Sequence, residues 1–234
     1  RRLDAVRIDP VAKTATVGAG AKWAAVIEAA APHGLAALNG SSSDVGVVGY
    51  TLGSGLPVMG RTFGFAADHV VSLDVVTADG EMHHVTAESK PDLYWGMCGG
   101  QGNLGIVTSM TIELMPVATL YGGAIFYAAE QIPAVLHAYR EWCEDLPDAM
   151  SASVGILRLP PLPEVPEPLR GQTVAHLRIA YVGDAAQGAK LVAPMREAAP
   201  TMIDMVAEMP YAADDSIYQD PPHPVPFLKG GLLL

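Results

Sequence analysis

The chain has 234 residues, of which 50% are hydrophobic and 17% charged, and this composition predicts a folded globular protein of one large domain or two modest ones. The 25 acidic and 14 basic side chains give a net charge of −11, which argues against nucleic-acid partners, and no basic amphipathic helix indicates a membrane surface. Cys98 and Cys143 form no CxxC pair and no disulfide framework, which favours free thiols and a cytoplasmic location.

The first half of the chain is predicted to form hairpins and short helices. Residues 5–9 and 14–18 alternate apolar and polar side chains around a short turn, as a β-hairpin does. An apolar helical spacing then begins at Trp23 and ends before Gly34. The Asp79-Gly80 turn predicts a second hairpin, and it is followed by a short helix opening at Pro91 and by a long, half-buried strand over residues 105–117.

The pattern changes after Pro116, and a domain boundary is expected near residue 117. Strands are predicted at 120–128, 151–159 and 173–183, with helices at 130–146 and 185–199. This order is typical of an antiparallel sheet covered on one face by helices, so the fold class is predicted to be α+β.

Residues 38–55, LNGSSSDVGVVGYTLGSG, are called the glycine-rich segment below. Irregularly spaced glycines predict a winding loop or a loop leading into a very short helix. A mobile linker is one interpretation, but six apolar side chains between Val45 and Leu56 argue against it. The other interpretation is a bed of backbone N–H donors for a flat or anionic ligand. Neither a Walker-type ending nor a GxGxxG motif is present, so phosphate-loop and nicotinamide sites are not supported.

Three ordered blocks resemble the berberine bridge enzyme-like flavoproteins of the vanillyl-alcohol-oxidase superfamily, which have a PCMH-type FAD-binding domain. They are VRIDPVAKTATVGAGAKWAAVIEAA, the window from GSSSDVGVVGYTLGSG to VVTADG, and DLYWGMCGGQGNLGIVTSMTIELMPV. Together they cover roughly residues 5–117. The resemblance implies a partial FAD-binding domain over residues 1–117, lacking its first subdomain, and a substrate-binding domain over residues 118–234, incomplete at its C-terminus.

The resemblance also implies where FAD lies. The isoalloxazine ring is expected against the backbone of the glycine-rich segment. The adenine or ribitol end is expected against the backbone at Gly105, Ile106 and Val107. The implied cofactor-binding residues are Ser41, Ser42, Ser43, Val45, Gly46, Val47, Gly49, Gly53, Gly55, Gly105, Ile106 and Val107. No metal site is expected, and the sequence indicates no catalytic residue.

Several positions depart from the family pattern. Ser42 stands where many relatives have the cysteine that attaches to flavin C6, so that thioether is not expected. Pro57 replaces a glycine and has no N–H. The family's pyrophosphate loop would precede residue 1 and its catalytic base would follow Leu234, so both ends are interpreted as cuts through a longer fold.

Individual residues keep two interpretations each. Val45 is either a gate for O₂ beside the flavin or a plain core valine, and Cys98 is either a packing residue or a redox group. Asp68 either belongs to the site or caps a loop before the next strand. Arg178 and Tyr181 are candidates to face the substrate, but strand alternation puts them on opposite faces, so at most one of them does so.

The resemblance implies an FAD-dependent oxidoreductase, an oxidase, that passes hydride from a sugar, phenol, alcohol or alkaloid to flavin N5 and uses O₂ as acceptor. The alternative is a truncated, non-catalytic piece of such an enzyme that does not hold FAD tightly. A third hypothesis is a small-molecule binding module that uses the second sheet alone.

Overall fold

The computed structural model describes residues 3–221, which form two five-stranded sheets. The strands of the first sheet are β1 (Val6–Asp9), β2 (Thr14–Gly18), β3 (Val70–Val76), β4 (Met82–Val85) and β5 (Ile106–Glu113), in the order β1-β2-β5-β3-β4. All neighbours in this sheet are antiparallel. Both predicted hairpins are therefore present, and the long strand between them forms the centre of the sheet.

Four helices accompany the first sheet: α1 (Trp23–Ala30), α2 (Val47–Leu52), α3 (Gly60–Phe63) and α4 (Pro91–Gly100). The side chains that give α1 its helical spacing are buried, Trp23 completely. The glycine-rich segment is a loop leading into the short helix α2, as one of its two predicted conformations required. The backbone of α4 leaves helical geometry at Cys98 and Gly99, and Gly99 has φ +104°, which glycine adopts without strain.

The second sheet contains β6 (Thr119–Ala128), β7 (Met150–Arg158), β8 (Thr173–Tyr181), β9 (Thr201–Asp204) and β10 (Ala207–Pro210). Its order is β10-β6-β8-β7, and β9 pairs with β6. The predicted helices are α5 (Ile132–Trp142) and α6 (Ala185–Ala198). The short strands β9 and β10 were not predicted, because four residues give too little alternation to recognise.

Each face of the second sheet has a distinct environment. Alternate side chains of β6 and β8, among them Tyr127 and Ile179, pack in the core formed with α5 and α6. The intervening side chains point to the opposite face, here called the inner face. There α7 (Asp215–Tyr218) lies on the sheet, and Ile217 packs beside Gly122. The fold is α+β, with an antiparallel second sheet covered by helices on one face, as predicted.

The two sheets are joined by buried polar contacts. Tyr211, which follows β10, donates its hydroxyl hydrogen bond to the carbonyl of Ala37 or to Asn39 Oδ1, at 2.5 and 2.6 Å. The Asn39 amide donates to Asp214 at 2.5 Å, and Asn39 and Asp214 are 0% and 2% exposed. A single hydrophobic core also includes residues from both sheets, so the chain folds as one connected body. Over residues 3–221, no helix has the length and apolar character needed to cross a bilayer.

Candidate functional site

The ends of the glycine-rich segment are filled by the protein itself. A Cβ on Gly40 would lie 2.9 Å from the Tyr50 ring, and a Cβ on Gly55 would lie 2.4 Å from it. Gly55 also has φ +68°. The Tyr50 ring packs edge-on against Trp23, with ring centroids 5.6 Å apart. Asn39, Gly40 and Gly55 are called the closed part, and the missing side chains of the two glycines make room for the Tyr50 ring.

Residues 41–49 are called the open part. No atom lies within 4 Å of a Cβ built on Gly49, and the nearest atom to one on Gly46 is the Ala21 carbonyl oxygen at 3.9 Å. Both glycines are exposed, and so is Val45 between the serines and α2. Val47 is buried and anchors this part by donating from its N–H to Ala21. Since Val45 is 43% exposed, the interpretation of Val45 as a core valine is wrong.

Backbone donors remain available in the open part. The N–H groups without an acceptor among residues 3–221 include those of Ser42, Gly46 and Gly49. Early N–H groups of a helix have no intrahelical partner, so a ligand or water must accept from them. Bare, exposed backbone with unpaired donors is the surface that the edge of a flat heterocycle can approach closely.

Two predicted serines are already paired with carboxylates from the other end of the chain. Ser43 donates to Asp215 from its N–H at 2.8 Å and from its hydroxyl at 2.5 Å. Ser41 donates to Asp220 at 2.5 Å. A cavity of about 310 Å³ lies here, and its lining residues are Ser41, Ser42, Ser43, Asp44, Asp215 and Asp220. A ligand at Ser43 must therefore displace Asp215 or bind beside it.

The third sequence block adjoins the glycine-rich segment. Ser54 Oγ lies 3.1 Å from a Cβ position on Gly99, and Gln101 Nε2 lies 3.8 Å from one on Gly53. Gly53 is exposed beside this turn. The structure therefore brings the two blocks together, although they are separated by β3 and β4 in sequence.

The predicted residues that begin β5 have different environments. A Cβ on Gly105 would lie 2.5 Å from Val75 Cγ1 and 2.9 Å from the Val76 carbonyl oxygen, so this glycine is required by packing against β3. Ile106 is 72% exposed, whereas Val107 is buried. Only Ile106 of these three presents a side chain on the surface.

The inner face of the second sheet carries a group of polar side chains called the polar strip: Ser153, His176, Arg178 and Tyr218. His176 is fully buried and stacks on Phe126 with ring centroids 4.4 Å apart. Arg178 Nε donates to His176 Nδ1 at 3.2 Å, and the Arg178 guanidinium lies 5.0 Å from the centre of the Tyr218 ring. Burial, together with the neighbouring positive charge of Arg178, lowers the pKa of His176 to about 4, against a weaker opposing contact with the Ile217 backbone.

The polar strip lies near the glycine-rich segment, because Tyr218 and Tyr50 pack against the same hydrophobic core. Burial raises the pKa of Tyr50 well above its ordinary value, and the nearby Tyr218 adds to that effect. Tyr50 lies in α2 and Tyr218 in α7, so the two short helices bring the segment and the strip to one place. The sequence contained no signal for this arrangement, because the partners are far apart in the chain.

Three further predicted residues find clear environments. Asp68 accepts from the Phe65 N–H at 2.9 Å and caps the turn before β3, as its structural interpretation stated. Cys98 packs at the edge of the core, and burial raises the pKa of its thiol. Tyr181 is buried under the helices while Arg178 lies on the inner face, so Tyr181 is excluded as the substrate-facing residue.

Comparison with known proteins identifies the class. Residues 1–86 match the family model described as "FAD binding domain". The chain is 31% identical over 162 residues to an uncharacterised FAD-linked oxidoreductase of Arthroderma benhamiae, covering 69% of this chain and 32% of the relative. Residues 1–86 are therefore similar to an FAD-binding domain, these matches support FAD as the cofactor, and the resemblance of the chain to FAD-linked oxidoreductases is confirmed.

Solved structures show the same fold. One is 6-hydroxy-D-nicotine oxidase from Arthrobacter nicotinovorans, with a TM-score of 0.82 and 22% identity over 94% of this chain and 47% of that one. Another is a berberine bridge enzyme-like protein of Physcomitrella patens, with a TM-score of 0.72 and 22% identity over 89% of this chain and 43% of that one. The chain spans about a third of the curated relative and about half of these solved chains.

The open part fits the flavin of FAD on chemical grounds. A flavin edge carries carbonyl and ring-nitrogen acceptors, and the open part offers N–H donors with no side chain in front of Gly46 and Gly49. The closed part does not offer this, because Tyr50 occupies the space beside Gly40 and Gly55. Of the predicted cofactor-binding residues, Gly55 and Gly105 are therefore explained by packing within the protein.

Proposed function

We propose that the complete protein is an FAD-dependent oxidase of a small molecule and that this chain supplies part of its flavin site and its substrate-facing sheet. When bound, FAD supplies the redox chemistry, accepting hydride from the substrate and passing electrons to O₂. The observation that carries the proposal is the open part, with bare backbone at Gly46 and Gly49 and unpaired N–H donors beside them.

Residues of the chain would divide the work between two surfaces. The N–H groups of Ser42, Gly46 and Gly49 would hold the edge of the flavin and fix its plane. The polar strip would orient the substrate against that plane, since Tyr218 of α7 and Tyr50 of α2 pack against the same core. Tyr50 would support the open part from behind, because its ring fills the closed part. No proton-transferring base is assigned among residues 3–221.

The competing hypothesis is a piece of such an enzyme that does not hold FAD tightly. The pairing of Ser43 with Asp215 gives it physical support, because that carboxylate occupies two donors of the open part. The absorption spectrum of purified protein separates the two hypotheses. A visible flavin band in the preparation, or one acquired with added FAD and retained on desalting, supports the proposed function, and a persistently colourless protein contradicts it.

A matched pair of variants sharpens this test. Asp215→Ala frees the N–H and hydroxyl donors of Ser43. It is therefore expected to raise FAD affinity several-fold if the serine triplet is part of the flavin site. Asp145→Ala is the control. It removes the same charge elsewhere, because Asp145 is an exposed carboxylate just after α5. Equal affinities of the two variants, measured by titration of flavin fluorescence, would remove Ser43 from the proposed site.

A further inference from the structure

Arg178 is a cation on the inner face of the second sheet without a carboxylate partner among residues 3–221. Arg7 and Arg158 also form no ion pair among residues 3–221, but they are exposed, whereas the other arginines of the described chain have partners. Arg61 and Arg196 form ion pairs with Asp148 and Asp204, and Arg170 donates to the carbonyls of Val165 and Pro163. In a protein of net charge −11, an unpaired guanidinium on a half-buried surface is notable because acidic side chains are abundant.

The neighbours of Arg178 hold its guanidinium and leave its terminal nitrogens free. Nε donates to His176, and Tyr218 lies against the guanidinium. Stacking on an aromatic ring uses the face of a guanidinium and leaves its in-plane N–H groups available. No acceptor for Nη1 or Nη2 is present among the described residues. Two parallel N–H donors on one edge match the two oxygens of a carboxylate.

His176 makes this arrangement stable without adding charge. It is fully buried against Phe126, so its ring cannot turn away from Arg178. A pKa lowered to about 4 keeps the imidazole neutral near neutral pH, so Nδ1 accepts from Arg178. The single positive charge of the strip is therefore the guanidinium.

Gly155 provides the space for the guanidinium on the neighbouring strand. A Cβ there would lie 2.9 Å from Arg178 Nη2 and 3.2 Å from Nη1. Gly155 pairs with His176 across β7 and β8, so the glycine lies directly beside the His176–Arg178 contact. Its backbone does not have a positive φ, so conformation alone does not require glycine at this position.

We propose that Arg178 binds a carboxylate of the substrate and that the substrates are therefore small molecules carrying a carboxylate. This inference rests on the proposed function for the identity of the surface as the substrate-facing one. Binding of the carboxylate itself requires only the contacts among Arg178, His176, Tyr218 and Gly155.

The experiment measures binding of benzoate, with benzyl alcohol as the neutral analogue, to the purified chain by calorimetry, with and without added FAD. Wild type is expected to bind benzoate at least about tenfold more tightly than benzyl alcohol, and Arg178→Gln is expected to remove that preference. Arg158→Gln is the matched control, because Arg158 is an exposed arginine at the end of β7, and it should leave benzoate affinity unchanged.

Gly155→Ala is a second test, which keeps the proposal testable if Arg178→Gln does not fold. The added methyl group meets only the far end of a flexible side chain, so the protein is expected to fold while the guanidinium shifts and benzoate affinity falls several-fold. Equal benzoate affinity in wild type and Arg178→Gln, or an equal loss in Arg158→Gln, would overturn the proposal.

The two arms with and without FAD separate this inference from the proposed function. If the protein takes up no FAD but loses benzoate binding on Arg178→Gln, the result supports the carboxylate site and contradicts the proposed oxidase function. If the protein binds FAD but does not prefer benzoate to benzyl alcohol, the result supports the proposed oxidase function and contradicts the carboxylate site.

Discussion

The closed and open parts of the glycine-rich segment contain the same residue type for different physical reasons. In the closed part, Gly40 and Gly55 have no side chain because the Tyr50 ring takes that space. In the open part, a Cβ built on Gly46 would lie 3.9 Å from its nearest neighbour, and one built on Gly49 would have no neighbour within 4 Å. Glycine in the first case is required by packing within the protein, and in the second case we propose that it leaves room for the flavin. The comparison shows that a run of glycines is not one feature, and substitutions can separate its parts.

Gly55→Ala is expected to have the largest effect on stability. Its Cβ would overlap the Tyr50 ring in a left-handed backbone conformation, which together should cost about 3 kcal/mol. Urea unfolding measures the change. Gly80→Ala is the matched control, because Gly80 has φ +84° with no atom within 4 Å of a Cβ, so it isolates the backbone contribution of about 1 kcal/mol. Equal losses in both variants would show that Tyr50 does not fill the closed part.

Asp214→Asn is expected to change how stability depends on pH. Burial raises the pKa of Asp214 to about 6 from its ordinary 3.8, partly offset by the hydrogen bond from Asn39. Folding therefore favours the protonated carboxyl, and this stabilisation is complete below about pH 4 and lost as the pH rises through about 6. The asparagine stays neutral, so well above pH 6 the variant should be more stable than wild type by about 3 kcal/mol.

Unfolding curves at several pH values test this prediction. The two proteins should converge near pH 4 and separate toward neutral pH, while FAD affinity stays within a factor of about two because Asp214 supports the closed part. A constant difference at all pH values would contradict the raised pKa of Asp214.

The sequence predicted much of the fold because local patterns determine it. Alternation around Asp79-Gly80 and the helical spacing that begins at Trp23 are properties of short windows, and both elements are present. The cap at Asp68 is equally local, joining residues three positions apart. The likeness of the sequence blocks to FAD-linked oxidoreductases added the cofactor.

The parts of the candidate site that the sequence did not predict depend on distant contacts. The Asn39–Asp214 bond joins residues 175 positions apart, and Ser43–Asp215 joins residues 172 apart. Strand alternation separated Arg178 from Tyr181 but could not tell which face α5 and α6 would cover. The reason for each glycine was also hidden, because it depends on where the Tyr50 ring lies.

Gly49→Ala tests the central claim most directly, with stability and FAD affinity measured on the same sample by urea unfolding and flavin fluorescence titration. Alanine is the better residue in a helix such as α2 and meets no protein atom, so stability should stay unchanged or rise by up to about 1 kcal/mol. If the open part holds the flavin, FAD affinity should fall by about tenfold, because the methyl group separates ring and backbone. An unchanged FAD affinity at unchanged stability would contradict the account.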